Sequence, residues 1–356
     1  MNQRVLKLMD RLALDQREAV LVHNPSNMFY LSGYTGEGLV LIGREMQAII
    51  TDFRYTEQAE KQAPGFSVEM TEKGVSHEAI VGRLCAEHEI GALYYEDDYL
   101  TVRSFESCRK AVPGVEWKSL HEEVQHIRQI KDEDELSRIA EACRITGEAF
   151  ERLLPEIKEG MTEKELALKL EFDMLTHGAT GLAFSTIVAA GANGSLPHAV
   201  PGDYKVRLGD MITFDFGAKY NGYCADMTRT VALGQPSDEM CKVYQTVLTA
   251  QQTARDAVMA GKCCKDIDAI ARDYIYSHGY EGRFGHGLGH SVGIDIHEEP
   301  RLSMTCSAIL EENQIMTVEP GIYLPGVGGV RIEDSVIVKK DGCIPLTSPT
   351  RELIIL

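Results

Sequence analysis

The stretch MITFDFGAKYNGYCADMTRTVAL, residues 211–233, holds two β-rich runs joined by Asn221-Gly222. An Asn-Gly pair between such runs predicts a two-residue hairpin turn. In that register Gly217 faces Asp226, and Asp215 projects from the same face, so the two aspartates are diagonal neighbours roughly 7–8 Å apart. Carboxylates held that close on an apolar strand repel and lose solvation, which a divalent cation would relieve. We expect Gly217 to leave room for the ion; the alternative is an ordinary polar stripe facing solvent.

Histidines crowd a second stretch, GHGLGHSVGIDIHEEP, at residues 285–300. It contains His286, His290 and His297, out of eleven histidines in the whole chain. Its glycines disfavour a helix and predict a tight loop and strand around a ligand. A flexible surface loop is the competing interpretation, and the residue types alone do not choose between His286 and His290 as a metal ligand.

Two glutamates lie in apolar, strand-like sequence on either side of a glycine-rich turn. Glu319 belongs to TVEPG and Glu333 to VRIED, and the turn PGVGG at residues 325–329 is centred near their midpoint. If the two strands pair antiparallel, the carboxylates lie nearly opposite each other on one face. For either glutamate alone, a surface strand position is the simpler explanation.

Taken together, these segments supply two aspartates, two glutamates and at least one histidine, all on predicted strands or next to them. Such an oxygen-rich set with one imidazole suits Mn²⁺, Co²⁺, Fe²⁺ or Zn²⁺ better than a thiolate-binding metal. Four carboxylates are too many for one ion with an open position, and they suit a pair of ions that share a water.

The composition excludes some classes of protein. The 356 residues include 54 acidic and 36 basic side chains, a formal net charge of −18. This balance argues against a nucleic-acid partner and against binding to anionic membranes. The sequence has no apolar run of the ~18 residues that a membrane span needs, no signal-peptide core, and no C-x-x-C pair among its nine cysteines. We therefore expect a soluble, cytoplasmic protein with reduced thiols.

The length predicts two domains. Residues 1–125 alternate short β segments with helical ones, which is typical of a small α/β domain. A helical pattern from Glu133 to Ile157 opens the second domain, residues 126–356, and Pro155 should kink or end that helix.

The second domain shows a faint internal repeat. Gly160 and Gly261 are each followed seventeen residues later by His-Gly, with an amphipathic helical segment in between and strand-like sequence after it. The first segment opens with Thr162-x-x-Glu165, a capping box. This pattern predicts two pseudo-equivalent halves, each with helices and a sheet, and a pocket between them.

Taken in order, the motifs of this chain resemble those of a known family. FDFG, GYCADMTRT, GHGLGHSVG, HEEP, TVEPG and VRIEDS are similar, in this order, to the motifs of the pita-bread metallopeptidases, family M24, and most of all to its Xaa-Pro aminopeptidase and Xaa-Pro dipeptidase (prolidase) branch. The resemblance runs from about Ile127 to the C-terminus, and residues 1–125 resemble the family's creatinase-type N-terminal domain more weakly. It implies an α+β fold, in which a pita-bread catalytic domain of two helix-plus-antiparallel-sheet halves follows a smaller α/β domain.

The resemblance also implies roles for individual residues. It selects His290 over His286 and implies five metal ligands: Asp215, Asp226, His290, Glu319 and Glu333. It implies three catalytic residues, with Glu319 as proton shuttle and His297 as oxyanion stabiliser: His198, His297 and Glu319. It implies five residues of the substrate pocket: His198, His286, His297, Arg301 and Arg331.

The activity implied by the resemblance is hydrolysis of the peptide bond before proline. Two divalent ions, Mn²⁺ first and Co²⁺, Zn²⁺ or Fe²⁺ as alternatives, would activate a water for attack on the carbonyl. We expect an aminopeptidase that acts on peptides with a free N-terminus and proline at the second position, in a homodimer. The alternative is a dipeptidase that cleaves only Xaa-Pro, and a more distant one is a non-catalytic binding protein on the same fold. A creatine amidinohydrolase should lack the five ligands, so their presence argues against that enzyme. Methionine aminopeptidases usually lack the N-terminal domain, so residues 1–125 argue against that activity.

Overall fold

The computed structural model describes residues 2–356, and contacts within it divide the chain into two compact units. One unit ends at Arg128 and the other begins at Gln129, a few residues beyond the boundary predicted at 125.

The first unit is built on a six-stranded mixed sheet. Its strands are β1 (Glu18–Val22), β2 (Leu39–Gly43), β3 (Gln47–Thr51), β4 (Ser67–Met70), β5 (Ala92–Tyr95) and β6 (Glu116–Ser119). Its helices are α1 (Gln3–Arg11), α2 (Pro25–Ser32), α3 (Thr56–Gln62), α4 (His77–Glu87), α5 (Val102–Ala111) and α6 (Glu123–Gln129). The strand order is β4-β3-β2-β1-β5-β6, with β1, β2 and β3 antiparallel and the outer pairs parallel. The apolar runs predicted as strands form its buried centre, as in β2, which is buried throughout.

The second unit contains four long helices and most of the strands. Its helices are α7 (Glu133–Leu153), α8 (Glu163–Thr176), α9 (Asp238–Asp256) and α10 (Cys264–Ser277). Its strands are β7 (Gly181–Leu182), β8 (Ile187–Ala190), β9 (Met211–Phe216), β10 (Ala218–Tyr220), β11 (Tyr223–Cys224), β12 (Met227–Ala232), β13 (Gly289–Ser291), β14 (Glu298–Leu302), β15 (Ile315–Val318), β16 (Gly321–Leu324), β17 (Gly328–Arg331), β18 (Asp334–Lys339) and β19 (Gly342–Pro345). Short 3₁₀ segments occupy Leu154–Glu156 and Gly191–Ser195.

Two hydrophobic cores divide this unit into the predicted halves. In the first, α7 and α8 pack against the sheet β12-β9-β8, with Phe150 and Phe214 in edge contact at 5.8 Å. In the second, α9 and α10 pack against the sheet β14-β13-β15-β18-β19. The capping box that opens α8 is present, because Thr162 and Glu165 satisfy each other's backbone N–H groups. Helix α7 ends at Leu153, before the residue predicted, because Pro155 cannot continue the α-helical hydrogen bonds.

The Asn-Gly turn has the predicted register. Tyr220 pairs with Tyr223, and Asn221 and Gly222 both have positive φ, at 46° and 88°, as a type I′ turn requires. The same register continues to Met227 opposite Phe216 in the pair β9–β12, so the predicted hairpin is confirmed.

The prediction for Gly217 was wrong. A Cβ at this position would lie 1.9 Å from the carbonyl oxygen of Ala225 and 3.2 Å from Ala183. The glycine therefore permits a close backbone approach between the two arms of the hairpin, and the space beside it is already filled by the chain itself.

Two further predictions concern the chain as a whole. All nine cysteines are free thiols, as expected from their spacing. Among residues 2–356, no helix has both the length and the apolar character needed to cross a bilayer.

Candidate metal centre

Five side chains from separate segments converge at one place: Asp215 and His290 lie on strands, and Asp226, Glu319 and Glu333 lie in short gaps between strands. Oxygen atoms of Asp215, Asp226 and Glu333 lie within 4.8 Å of one another. The imidazole Nε2 of His290 lies 3.6 Å from Asp226 Oδ2 and 3.3 Å from Glu319 Oε1. The structure thus brings together all five residues that the sequence predicted as ligands.

In the hairpin that carries Glu319 and Glu333, the strand pairing is interrupted at the two glutamates. Strand pairing stops after Val318–Asp334 and resumes at Gly321–Arg331 in the same register. Glu319 and Glu333 occupy the gap, which confirms that they lie opposite each other across the hairpin. Because residues opposite each other on antiparallel strands project to the same face, the shared register places both carboxylates on one side of the hairpin.

His290 is oriented by a backbone group. Its Nδ1 donates to the carbonyl oxygen of Ser291 at 3.1 Å, which leaves Nε2 facing the carboxylates. Burial alone would lower the pKa of His290, but the hydrogen bond and the charge of Glu319 raise it. This is the usual arrangement of a metal-binding imidazole, with one nitrogen held by the protein and the other presented to the ion.

His286 has a different environment. Its Nδ1 lies 2.8 Å from the carbonyl oxygen of Gly287, and its Nε2 lies 2.9 Å from the hydroxyl of Tyr323. Burial lowers the pKa of His286. Both ring nitrogens already have protein partners, so the geometry favours His290 over His286 as a ligand.

The cluster holds more negative charge than its protein partners balance. Asp226 and Glu333 are buried, and burial together with the neighbouring carboxylates raises the pKa of each well above its usual range. Glu333 Oε2 accepts a hydrogen bond from Thr228 at 2.7 Å, whereas its Oε1 has no partner among residues 2–356. A buried carboxylate oxygen aimed into an acidic cluster fits a divalent cation. The donor set of four carboxylates and one imidazole has enough ligands for two such ions.

Glu319 differs from the other three carboxylates. It lies beside His290 and accepts a hydrogen bond from Thr317 Oγ1 at 3.1 Å. Burial would raise the pKa of Glu319, but the hydrogen bond to His290 and the charges of His290, His286 and Arg331 lower it to about 2. The side chain is therefore ionised at neutral pH.

Arg331 lies behind Asp215 and is buried. It donates to Asp215 Oδ2 at 2.6 Å, to the Tyr323 hydroxyl at 2.9 Å and to Thr228 Oγ1 at 3.2 Å. Its guanidinium also donates to the carbonyl oxygen of Pro197 at 3.2 Å. The predicted pocket residue thus also orients a predicted ligand.

A second buried network supports Glu333 from the other side. The next residue, Asp334, accepts hydrogen bonds from Arg229 at 3.0 Å, Gln251 at 2.9 Å and Thr347 at 2.6 Å. Arg229 also donates to the backbone carbonyl of Glu333. The alternation of side chains along a strand explains the arrangement, because neighbouring residues project to opposite faces.

A cavity of about 560 Å³ opens over the five side chains. All the other predicted site residues line it: His198, His286, His297, Arg301 and Arg331. His198, His297 and Arg301 are exposed at its rim, and the ring of His297 stands edge-on to that of His290 at 4.5 Å. Burial and the neighbouring charges of His290 and Arg301 lower the pKa of His297.

Several contributors were missed by the sequence reasoning. Thr228 and Tyr323 hold Arg331, and Phe184, Ser185 and Thr186 form one wall of the cavity. Thr228 and Tyr323 lie close to the ligands, in DMTRT and EPGIY, so inspection of the neighbours of each acidic residue would have found them. The segment around Phe184 carries no comparable signal.

Comparison with known proteins agrees with this geometry. Residues 137–340 match the model of metallopeptidase family M24, and residues 3–130 match that of the creatinase/prolidase N-terminal domain. A Xaa-Pro dipeptidase of Pyrococcus horikoshii is 35% identical over 358 residues, covering 99% of both chains. The structure is similar to that of a Xaa-Pro dipeptidase from Bacillus anthracis, with a TM-score of 0.94, 39% identity and 99% coverage of both chains. It is also similar to that of an X-Pro aminopeptidase from Thermotoga maritima, with a TM-score of 0.92, 38% identity, and coverage of 98% of this chain and 99% of that one.

These matches confirm the predicted family and fold, since the two models together account for most of the chain. The protein is an enzyme of metallopeptidase family M24, in which a creatinase/prolidase N-terminal domain precedes the pita-bread catalytic domain.

Proposed function

We propose that this enzyme is an Xaa-Pro dipeptidase, which hydrolyses the single peptide bond of dipeptides that end in proline. The observation that carries the proposal is the convergence of five metal-ligand side chains beneath a cavity with a cationic residue, Arg301, at its rim. Relatives named as dipeptidases support this reading over the aminopeptidase expected from the sequence.

The ligands of the proposed metal pair are Asp215, Asp226, His290, Glu319 and Glu333. When bound, two divalent ions would act as Lewis acids on the carbonyl before proline and lower the pKa of a shared water. The carboxylate-rich ligand set favours Mn²⁺, with Co²⁺, Zn²⁺ and Fe²⁺ as alternatives.

The chain's own residues would handle the proton and the substrate. Glu319, ionised and next to His290, can accept a proton from the attacking water and return it to the proline nitrogen. His297 has a lowered pKa and is neutral at neutral pH, so one ring N–H can donate a hydrogen bond to the oxygen that becomes negative. His198 also lines the cavity and is available for a second contact with the substrate.

Arg301 would distinguish dipeptides from longer peptides. Its side chain is 55% exposed and binds Glu299 through Nε at 3.1 Å, and the residue is part of the cavity lining. In a dipeptide the proline carboxylate is free, and a guanidinium is well suited to bind it. In a longer peptide this charge is replaced by an amide.

A competing activity has its own support. The T. maritima protein, at 38% identity, is named an X-Pro aminopeptidase, and the open rim beside the exposed residues His198 and Arg301 does not close the cavity to a longer chain. The proposal also includes a homodimer, which the family resemblance implies, and a cytoplasmic location, which the composition predicts.

The test compares three substrates with the purified enzyme supplied in turn with Mn²⁺, Co²⁺, Zn²⁺ or Fe²⁺: an Xaa-Pro dipeptide, its C-terminal amide, and an Xaa-Pro-Yaa tripeptide. We expect the dipeptide to have the highest kcat/KM. Arg301→Ala should lower kcat/KM for the dipeptide about 10- to 100-fold, the range of a charged hydrogen bond, and change that for the amide little. A higher kcat/KM for the tripeptide would identify an aminopeptidase, and metal binding without any hydrolysis would identify a binding protein.

A further inference from the structure

We propose that Glu163 is a positioning residue, which holds the loop of residues 191–202 so that His198 stands over the catalytic cavity. The proposal rests on the proposed function, because it requires that His198 contact the substrate. It concerns a residue outside the metal cluster, on the first turn of α8.

One carboxylate binds both ends of this loop. Glu163 Oε1 accepts hydrogen bonds from the backbone N–H of Ala190 at 2.8 Å and from Asn193 Nδ2 at 3.0 Å. Glu163 Oε2 accepts from the backbone N–H of Gly202 at 3.1 Å. The side chain thus joins the residue before the loop to the last residue of the loop, and it is only 1% exposed.

The backbone near Glu163 adds two bonds to the same end of the loop. Its own N–H donates to the carbonyl oxygen of Tyr204, and that of Lys164 donates to the carbonyl oxygen of Gly202, both at 3.1 Å. The start of α8 is therefore the base to which the loop is attached. Compact loops whose ends are close together commonly carry functional residues.

In the middle of the loop Leu196 and His198 are exposed, whereas Gly194 and Ala199 are buried, and the backbone hydrogen bonds there are local. The N–H of Leu196 donates to Asn193, and that of Ala199 donates to Leu196. Val200, which follows, is 85% exposed. The carbonyl oxygen of Pro197 accepts from Arg331 at 3.2 Å. The segment at residues 191–195 also packs closely against Gly329, so the position of His198 depends on the bond from Arg331 and on the two ends that Glu163 joins.

A carboxylate suits this position because three N–H donors converge on two oxygens. Glutamine has the same shape but only one acceptor oxygen. Its NH2 group, which is a donor, would face one of the N–H groups that Glu163 now binds. Glu163→Gln should therefore release either Gly202 or the pair Ala190 and Asn193, without opening a cavity in the core.

A suitable control lies two residues away. Glu165 carries the same charge on the same turn of α8, is exposed, and accepts its hydrogen bonds from Thr162. Glu165→Gln perturbs the helix cap and the local charge. Among the described residues, Glu165 has no hydrogen bond to the loop of residues 191–202. Asn193→Ala removes one of the three bonds to Glu163 and should have a smaller effect than Glu163→Gln.

The first measurement is hydrogen–deuterium exchange on the metal-free protein, which does not depend on activity. In Glu163→Gln we expect faster exchange in peptides that cover residues 190–202, with metal content after loading unchanged. In Glu165→Gln we expect exchange in this segment to match the wild type.

The second measurement is a double-mutant cycle on kcat/KM. Glu163→Gln should lower kcat/KM about 10- to 100-fold, because a displacement of about 1 Å can cost two orders of magnitude. In the His198→Ala background the same change should cost less than twofold, because the residue to be positioned is gone. A merely structural role would give the same loss in both backgrounds.

The outcomes separate this proposal from the proposed function. Equal losses in the two backgrounds, or unchanged exchange in residues 190–202, would overturn the role of Glu163. If the wild type prefers the tripeptide, the dipeptidase assignment fails, and the cycle is then measured on the tripeptide with the same expected result.

Discussion

Glu319 and Glu333 face each other in the gap between two ladders of one hairpin, and each uses its backbone to reach a different neighbour. The N–H of Glu319 donates to the carbonyl oxygen of Leu288 at 2.8 Å, and that of Glu333 donates to Thr228 at 3.1 Å. The interruption thus attaches this hairpin to the strand next to His290 and to the strand next to Asp226. Backbone bonds that leave the ladder place four of the five proposed ligands around one centre.

Removal of one charge from this centre should separate metal binding from folding. In Asp226→Asn, we expect loss of bound metal and of peptide hydrolysis, since one carboxylate ligand is gone. The metal-free variant should be more stable than the metal-free wild type by about 1 kcal/mol, because a buried carboxylate that neighbouring carboxylates repel becomes neutral. Metal analysis and thermal unfolding in a chelator check both effects.

The matched control is Asp341→Asn, an exposed aspartate in the turn after β18. It should change neither property. Full metal content and turnover in Asp226→Asn would remove this residue from the ligand set.

A buried ion pair supports the strand that carries His290. Lys131 Nζ lies 3.1 Å from Glu298 Oε2 and 3.1 Å from Ser291 Oγ, and the two ion-pair side chains are 1% and 8% exposed. Lys131→Met takes this cation away from a buried carboxylate, and we expect the free energy of unfolding to fall by about 3–5 kcal/mol. Urea unfolding followed by far-ultraviolet circular dichroism gives the value.

The exposed Lys340 offers a comparison, and Lys340→Met should change stability by about 0.5 kcal/mol or less. If Lys131→Met were no more destabilising than Lys340→Met, the buried pair would have no net effect on stability.

Close backbone packing makes Gly217 intolerant of a side chain. In Gly217→Ala, the new Cβ would meet the carbonyl oxygen of Ala225 at 1.9 Å. The hairpin arms that carry Asp215 and Asp226 must then separate. We expect a loss of about 1–3 kcal/mol in stability and weaker metal binding, measured by unfolding and by metal titration.

Gly181→Ala is the control, since a Cβ there has no neighbour within 4 Å in the part of the chain that the structure describes. It should be neutral or slightly stabilising. Normal metal affinity in Gly217→Ala would show that the ligand arms can move apart at no cost to the site.

His23 should make the first unit sensitive to acid. Burial lowers the pKa of His23 to about 4, against the opposing effects of Glu78 and the backbone of Leu21, and its Nδ1 has no hydrogen-bond partner within residues 2–356. The usual pKa is about 6.5, so between these values the unfolded chain binds more protons than the folded one. The free energy of unfolding should therefore fall by up to about 3 kcal/mol as pH drops through this window, with no contribution above it.

The single tryptophan, Trp117 in β6, reports on this unit by fluorescence. Across pH 4.5–7, His23→Gln should remove this part of the acid sensitivity, and the same change at the exposed His88 should not. If the free energy of unfolding changed with pH in the same way for wild type and His23→Gln, the prediction would be contradicted.

Much of the site followed from local sequence because its proposed ligands lie on hairpins. The Asn221-Gly222 turn determines which residues face each other along both arms, so the shared face of Asp215 and Asp226 could be predicted. The glycine turn at 325–329 does the same for the two glutamates. Turn chemistry is local, and therefore it is visible in one sequence.

Predictions that needed contacts between distant segments were weaker. Gly217 was taken as room for an ion, but the carbonyl group of Ala225 occupies that space. The loop held by Glu163 was not anticipated, because the three donors that it binds lie 27 to 39 residues away along the chain. The choice of His290 over His286 needed the family resemblance, and its physical reason became visible only with the partners of each ring.

The sequence by itself determined the two hairpins, their registers, the capping box of α8 and the four acidic residues proposed as ligands, because these depend on residues close together in the chain. Only the tertiary structure decided how the hairpins meet, which imidazole nitrogen is free, and which carboxylate oxygen stays without a partner. Those properties depend on burial and on the distances between side chains far apart in sequence, and such distances exist only once the two halves of the catalytic domain have packed together.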